Sequence, residues 1–265
     1  MQCIKQNIVS GETGVADGSF LPSNVSWSSR YEAVESIKHS TIKYMKELDA
    51  ELAAMPGYSE PEEVETEKKC LKSHTEKDCG YIYQKRKKGL GYLVEMTVDT
   101  KYGIITGVDC YPANKRESDI ILKHLKNQPC RYQKIALDAG YDIGAVHRGL
   151  ELLDIDGYTA IREYQNNAMK KGFLYDEQKD AFICRKGKYL QFQKLIYKKS
   201  SQNYYRLYIH PRKQCKECPM FSACVADLGI VRINASAYYP SFYRNNQKEA
   251  GKSSITTAFT NLFLE

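Results

Sequence analysis

The chain has 265 residues, of which 42% are hydrophobic and 27% are charged. This composition excludes a disordered chain and a disulfide-held miniature, because the apolar residues suffice for a sizeable core. The net charge of +7 favours a polyanionic partner. No apolar run approaches the roughly 20 residues of a membrane helix, and the first residues lack the hydrophobic core of a signal peptide. We therefore expect a cytoplasmic protein with no membrane partner.

The first half of the chain contains strand and helix patterns in alternation. Residues 14–21 predict a short buried strand that contains Asp17. Apolar residues recur every three to five positions over 30–55, which predicts an amphipathic helix ended by Pro56 and Gly57. Residues 57–88 are acidic and then basic without an apolar period, so we expect a polar connector.

The following residues predict a sheet with helices packed on it. Alternation over 93–99 and 104–108, with a turn between them, predicts an antiparallel hairpin. We expect Ser118 to be the N-cap of the next helix. A buried strand at 135–137 runs into Asp138, and a second helix and a strand follow. This order predicts an α/β fold with a mixed sheet. Beyond Arg162 the chain becomes rich in Tyr, Lys and Cys and predicts a β-rich insertion.

Asp17 and Asp138 share one setting, an acid at the end of a short buried strand followed by small residues. Neighbouring strand ends gather at one edge of an α/β sheet, where carboxylates can hold hard divalent cations. Two such cations about 3.5–4 Å apart would clamp an in-line phosphoryl displacement. The alternative is that each Asp only caps the turn or helix that follows it.

Four segments together resemble a known family. They read GVADGSFLPSN at 14–24, GYLVEMTVDTKYGII at 91–105, PAN with SD at 112–119, and LDAGYD at 137–142. In this order they are similar to the signatures of IS4-like DDE transposases of bacterial insertion sequences. The resemblance implies an RNase H-like core in which two Asp and one Glu bind two Mg²⁺ ions for DNA strand cleavage and transfer. Asp17 matches the first acid and Asp138 the second.

The resemblance also implies a division of the chain. Residues 13–162 would form the RNase H-like core, with a helical insertion at about 30–56 and the polar connector at 57–88. Residues 163–235 would form a Cys-containing β-rich insertion, and 236–265 a C-terminal remnant. In the matching motifs, Asp99 and Asp119 fall outside the catalytic acids, so turn and cap roles are expected for them.

The chain departs from the family pattern at both ends. Only sixteen residues precede Asp17, which leaves little room for the family's N-terminal DNA-recognition helices. At 75–80 the sequence TEKDCG stands where the family usually has Asp-Pro-Asp. After Lys248, Glu249 and Glu265 are the remaining acids that could serve as the third ligand. We therefore expect a truncated transposase with weak or no activity, because two ligands fix metal ions less well than three.

Four cysteines form a second constellation. Cys215 and Cys218 have the Cys-x-x-Cys spacing of a metal knuckle, Cys224 follows, and Cys184 precedes a Lys-Gly turn. Four thiolates suit tetrahedral Zn²⁺ in a structural role, because no position is then left open for a substrate. The alternative is that they are buried free thiols.

Basic clusters with interleaved tyrosines suit contacts to DNA phosphates and stacking on unpaired bases. The candidate DNA-binding residues are Lys85, Arg86, Lys87, Lys88, Lys198 and Lys199. The alternative is a solvated basic face over tyrosines that pack inside the β-rich insertion.

Two functional hypotheses follow. The chain is either a DDE transposase acting on transposon ends, alone or as a homo-oligomer, or a non-catalytic, zinc-stabilised DNA-binding remnant that interferes with intact transposase. A tyrosine recombinase using Tyr238 or Tyr239 is disfavoured, because no supporting Arg/His set accompanies this pair.

Overall fold

The structure is a computed structural model. It describes residues 6, 8–38, 43–61, 65–84, 88–162, 172–210, 215–224 and 231–250. The strands are β1 (Thr13–Pro22), β2 (Arg30–Lys38), β3 (Glu65–Ser73), β4 (Gly80–Tyr83), β5 (Lys88–Asp99), β6 (Ile104–Pro112), β7 (Lys134–Leu137), β8 (Asp156–Thr159), β9 (Leu174–Asp176), β10 (Ala181–Ile183), β11 (Tyr189–Lys198), β12 (Asn203–Ile209) and β13 (Arg232–Ser236). The helices are α1 (Lys46–Ala53), α2 (Glu117–Asn127), α3 (Gly144–Leu152), α4 (Phe221–Cys224) and α5 (Tyr239–Ala250).

The first sheet is mixed and has six strands. Its order is β4-β5-β1-β7-β8, and β6 also pairs with β5. Strand β1 is antiparallel to β5 and parallel to β7, which is in turn parallel to β8. In the central strand β1, Val15 and Ala16 are fully buried. This mixed sheet with few helices is compatible with an RNase H-like transposase fold, and the predicted hairpin is β5 and β6.

The helix predicted over residues 30–55 is wrong in its first part. Residues Arg30–Lys38 form β2, which pairs antiparallel with β3. Charged residues face each other across this ribbon, and Lys72 forms an ion pair with Glu35. In the described part of this range the helix is α1, where Leu48 and Leu52 are buried. The apolar spacing before α1 therefore fits a helical period, although these residues pair with β3 as a strand.

The polar connector expected over 57–88 is also wrong, since it contains β3 and β4. Similarly, Ser118 is not the N-cap of α2. The chain is extended at Arg116, which occupies the N-cap position without a side-chain cap, and Ser118 is buried in the first turn. Acidic Glu117 and Asp119 lie in that turn instead, where the helix dipole favours negative charge.

The main core lies between the first sheet and the helices. Ala16 and Leu137 of adjacent strands pack with Ile121 of α2 and Val146 of α3. Leu195 of β11 joins the same cluster, so the second sheet contributes to this core as well. Among the described residues, no helix is long and apolar enough to cross a membrane.

The second sheet lies where β-strands were predicted beyond Arg162. Its order is β13-β12-β11-β10-β9, and all neighbours are antiparallel. Its core is aromatic, with Phe182 and Tyr208 fully buried.

The segment interpreted as a C-terminal remnant contains a packed helix. Asn245 of α5 accepts a hydrogen bond from the Thr159 N–H at 3.1 Å and donates one to the Thr159 carbonyl at 2.9 Å. The helix α5 therefore satisfies backbone groups at the end of β8 and is part of the fold.

Candidate active site

Asp17 and Asp138 each directly follow one residue of a register pair on two adjacent parallel strands. Ala16 of β1 is the register partner of Leu137, the last residue of β7, so Asp17 and Asp138 are the next residue on each strand. Asp138 keeps an extended backbone with φ −73° and ψ 174°. Because side chains alternate along a strand, equivalent positions lie on the same face. Strand β1 continues to Pro22, whereas its pairing with β7 ends at Ala16.

Both aspartates also accept local hydrogen bonds. Oδ1 of Asp17 accepts the N–H of Gly18 at 2.9 Å, and Oδ1 of Asp138 accepts the N–H of Gly140 at 2.6 Å. Asp138 thus caps the single 3₁₀ turn Ala139–Tyr141. The capping role considered from the sequence is therefore present at Asp138.

Arg162 fixes the loop after Asp138. Its guanidinium donates to the carbonyls of Ala139 and Gly140, in the latter case over 2.6 Å. Its backbone N–H donates to Asp142 Oδ2 at 2.8 Å, and Asp142 Oδ1 lies 2.9 Å from Nε2 of His147. This network holds the end of β7 against α3 and so orients Asp138.

Glu117 lies at the same place and was not identified from the sequence. A Cβ built on Gly18 would lie 2.6 Å from Cγ of Glu117 and 3.0 Å from its Oε1. A Cβ built on Gly140 would lie 2.6 Å from Asp138 Oδ1 and 3.1 Å from Glu117 Oε2. The absence of side chains at these two glycines therefore gives the first turn of α2 access to the edge where Asp17 and Asp138 lie.

Glu95 is a fourth carboxylate in this region, and the sequence did not identify it either. It is fully buried on β5 opposite Gly18. The hydroxyl of Tyr141 donates to its Oε1 at 2.7 Å, while its Oε2 has no hydrogen-bond partner among the residues that the structure describes. Burial raises the pKa of Glu95 to about 8 against the lowering effect of Tyr141, and the charges of Glu117, Asp17 and Asp138 add to the rise.

Carboxylate oxygens are the ligands that Mg²⁺ prefers, so the chemistry of these side chains fits a magnesium site. Oε2 of Glu95 is a buried polar atom without a hydrogen-bond partner among the described residues, and it can accept a cation once the carboxyl group loses its proton. As placed, no three His, Cys, Asp or Glu side chains of the described residues are arranged closely enough to hold an ion. Ion binding would therefore require side-chain rotation.

Asp99 has the structural position expected for it. Its Oδ1 accepts the N–H of Lys101, and its Oδ2 accepts the N–H groups of Ser10 and Gly11. Asp119 lies in the first turn of α2. The hydroxyl of Tyr238 donates to the Leu48 carbonyl, and Tyr239 belongs to the second core. Both tyrosines therefore have packing roles.

The remaining predicted sites lie elsewhere in the molecule. Cys184, Cys215, Cys218 and Cys224 border one cavity beside the second sheet, together with His210, which the sequence did not indicate. Lys198 ends β11 and Lys88 begins β5, so these basic residues lie on different sheets. Lys85, Arg86 and Lys87 lie outside the described residues, as do the side chain of Glu249 and all of Glu265.

Comparison with known proteins identifies a family. A family model described as "Transposase DDE domain" matches residues 48–247, which include Asp138 and Glu117. Asp17 precedes the matched segment. No curated protein and no solved structure matches the chain. Since the model covers most of the chain, the protein belongs to the transposase DDE domain family.

Proposed function

We propose that this chain cleaves and transfers DNA strands as a DDE transposase, with Asp17 and Asp138 as Mg²⁺ ligands. The observation that carries the proposal is that each aspartate directly follows a residue of the register pair Ala16–Leu137 on two adjacent parallel strands. Transposases of this family generally use Mg²⁺. When bound, the ions would activate the attacking oxygen and stabilise the leaving oxygen of the phosphodiester.

The chain's own residues prepare this site in three ways. Asp17 and Asp138 supply oxygen ligands on the two central strands. Arg162 holds the loop that carries Asp138, through the carbonyls of Ala139 and Gly140. Tyr141 donates to Glu95 and keeps this buried carboxyl in place beside the cluster.

We also propose Glu117 as a third carboxylate of the site. The expectation of weak or absent activity was based on the lack of a third acid, with Glu249 and Glu265 as the remaining candidates. Glu117 Oε2 and Asp138 Oδ1 border the same point beside Gly140. Glu117 can therefore supply the third carboxylate although it precedes Asp138 in the sequence. Whether activity is weak stays a prediction, and a cleavage assay tests it.

The test is nicking of supercoiled plasmid DNA by the full chain in the presence of Mg²⁺ or EDTA. We expect Mg²⁺-dependent nicking that falls at least about 100-fold in Asp17→Asn and Asp138→Ala, because each removes a ligand. Glu117→Gln should lower the rate as well. Asp119→Asn, in the same helical turn as Glu117, is the matched control and should keep the wild-type rate.

The same assay separates the proposal from the alternative. A chain that binds DNA but never nicks it would support the non-catalytic remnant that interferes with intact transposase. Nicking that is equal in the wild type and in Asp138→Ala would contradict the assignment of the site. If Glu249→Gln abolishes nicking while Glu117→Gln has no effect, the third carboxylate is Glu249.

A further inference from the structure

The fold brings four cysteines and one histidine from three stretches of chain to a single cavity. Cys184 directly follows β10, His210 directly follows β12, and the remaining cysteines lie between β12 and β13. The cysteines are Cys184, Cys215, Cys218 and Cys224, and none of them forms a disulfide. The side chains that complete the cavity wall are largely apolar and include Leu190, Phe221 and Val231.

Two tight turns present the thiols to this cavity. The N–H of Cys218 donates to the Cys215 carbonyl at 3.0 Å, which closes the Cys-x-x-Cys turn. The N–H of Gly187 donates to the Cys184 carbonyl at 2.8 Å in the same way, and Gly187 has φ +72°, a conformation that favours glycine. The first of these turns has the Cys-x-x-Cys spacing found in structural zinc sites, and the second carries Cys184 alone.

The described segment that carries Cys215, Cys218 and Cys224 has little regular secondary structure. The helix α4 has only four residues, whereas an isolated helix shorter than about 12–15 residues is marginal in water. A cation that binds thiolates would stabilise this segment, because its binding free energy also contributes to folding.

We propose that Cys184, Cys215, Cys218 and Cys224 bind one structural Zn²⁺ that ties the hairpin turn after β10 to the segment between β12 and β13. Nδ1 of His210 lies 3.2 Å from Sγ of Cys215, so His210 is a positioning residue that hydrogen-bonds this thiolate. In the described part of the chain, no three His, Cys, Asp or Glu side chains are close enough to hold a metal ion. Zinc binding therefore requires the cysteine side chains to rotate towards one another.

The first experiment measures zinc in the full chain, purified without a metal-affinity tag from zinc-supplemented medium. We expect about one zinc per chain in the wild type, and less than a tenth of that in Cys218→Ser and Cys184→Ser. Cys110→Ser is the matched control, because Cys110 is exposed on β6 and should leave the zinc content unchanged. A zinc content near zero in the wild type, or an unchanged content in Cys218→Ser, would overturn the proposal.

The second experiment does not depend on the folding of cysteine variants. The wild-type chain, stripped by a chelator and titrated with Co²⁺, should develop thiolate-to-cobalt charge-transfer absorption with the band pattern of a tetrahedral site. His210→Ala should still bind one zinc, with an affinity about 10–100-fold weaker. Absence of the cobalt bands would refute the site, and complete loss of zinc in His210→Ala would refute the four-cysteine ligand set.

Discussion

Glu95 is a buried carboxyl group whose surroundings oppose its ionisation. Its pKa rises from 4.5 to about 8. Between these pH values Glu95 keeps its proton in the folded protein and loses it in the unfolded chain. The metal-free protein should therefore lose stability as the pH rises from about 5 to 8, by up to about 1.4 kcal/mol for each pH unit from this group.

The variant Glu95→Gln tests this prediction. Its free energy of unfolding in EDTA, measured by urea denaturation, should depend less on pH between 5 and 8 than that of the wild type. Glu12→Gln, at an exposed position, is the control and should follow the wild type. Parallel pH profiles for wild type and Glu95→Gln would show that Glu95 is not neutral in the folded state.

At the scale of single residues, the sequence indicated Asp17 and Asp138 because each ends a buried run and is followed by small residues. It did not indicate Glu95 or Glu117, although Glu95 lies in the motif at 91–105 and Glu117 lies next to Ser118 in the motif at 112–119. Glu95 is one residue of an alternating strand, and Glu117 is one of several acids near a helix start. Their proximity depends on β5 pairing with β1 and on the missing side chains of Gly18 and Gly140.

Between secondary-structure elements, Glu151 connects α3 to α5. Arg244 donates to both of its carboxylate oxygens at 2.7 Å, and Arg148 donates to Oε2 at 2.9 Å. Burial alone would raise the pKa of Glu151, but these hydrogen bonds outweigh it and lower the pKa. This contribution to stability is therefore present above the unfolded pKa and is lost as the pH falls through the lower, folded value.

We expect Glu151→Gln to lower the free energy of unfolding by about 1–2 kcal/mol at pH 7, because charge-assisted hydrogen bonds are replaced by neutral ones. The difference should shrink towards pH 3, and urea denaturation at both pH values measures it. Glu177→Gln is the matched control, since Glu177 binds the same Arg244 at the surface and should cost less than about 0.5 kcal/mol. Equal losses in the two variants would contradict the role assigned to Glu151.

Element types were predictable where one period ran without interruption. The β5–β6 hairpin and the strand before Asp138 have simple alternating or continuous apolar patterns, and both are present. The segment 30–55 misled because Val34 and Ile37 fit a helical spacing, although they belong to the ribbon of β2 and β3. Pairing with a segment about 35 residues away is not visible in a local pattern.

At the scale of the whole molecule, the positive net charge favours DNA binding that weakens with salt. Lys198 and Lys199 lie at the turn between β11 and β12, and Lys198 stacks over the Tyr205 ring at 4.5 Å. The double variant Lys198→Ala/Lys199→Ala should bind DNA more weakly and reduce the slope of log K against log salt by about 2.

Fluorescence anisotropy with labelled duplex DNA at several salt concentrations measures that slope. Lys126→Ala is the control, because Lys126 is already paired with Glu47 at 2.9 Å and should not contribute to the slope. If the double variant keeps the wild-type slope, these lysines belong to a solvated face that does not contact DNA.

The sequence by itself determined the family and the mixed α/β class, because ordered local motifs carry that information in their residue types, and it indicated the two aspartates as candidate ligands. Only the tertiary structure decided that Arg30–Lys38 pairs as a strand, that α5 completes the end of β8, and that Glu95 and Glu117 join the aspartates. The physical reason is that each of these features depends on contact between segments far apart in the chain, where register, burial and charge pairing override local preference.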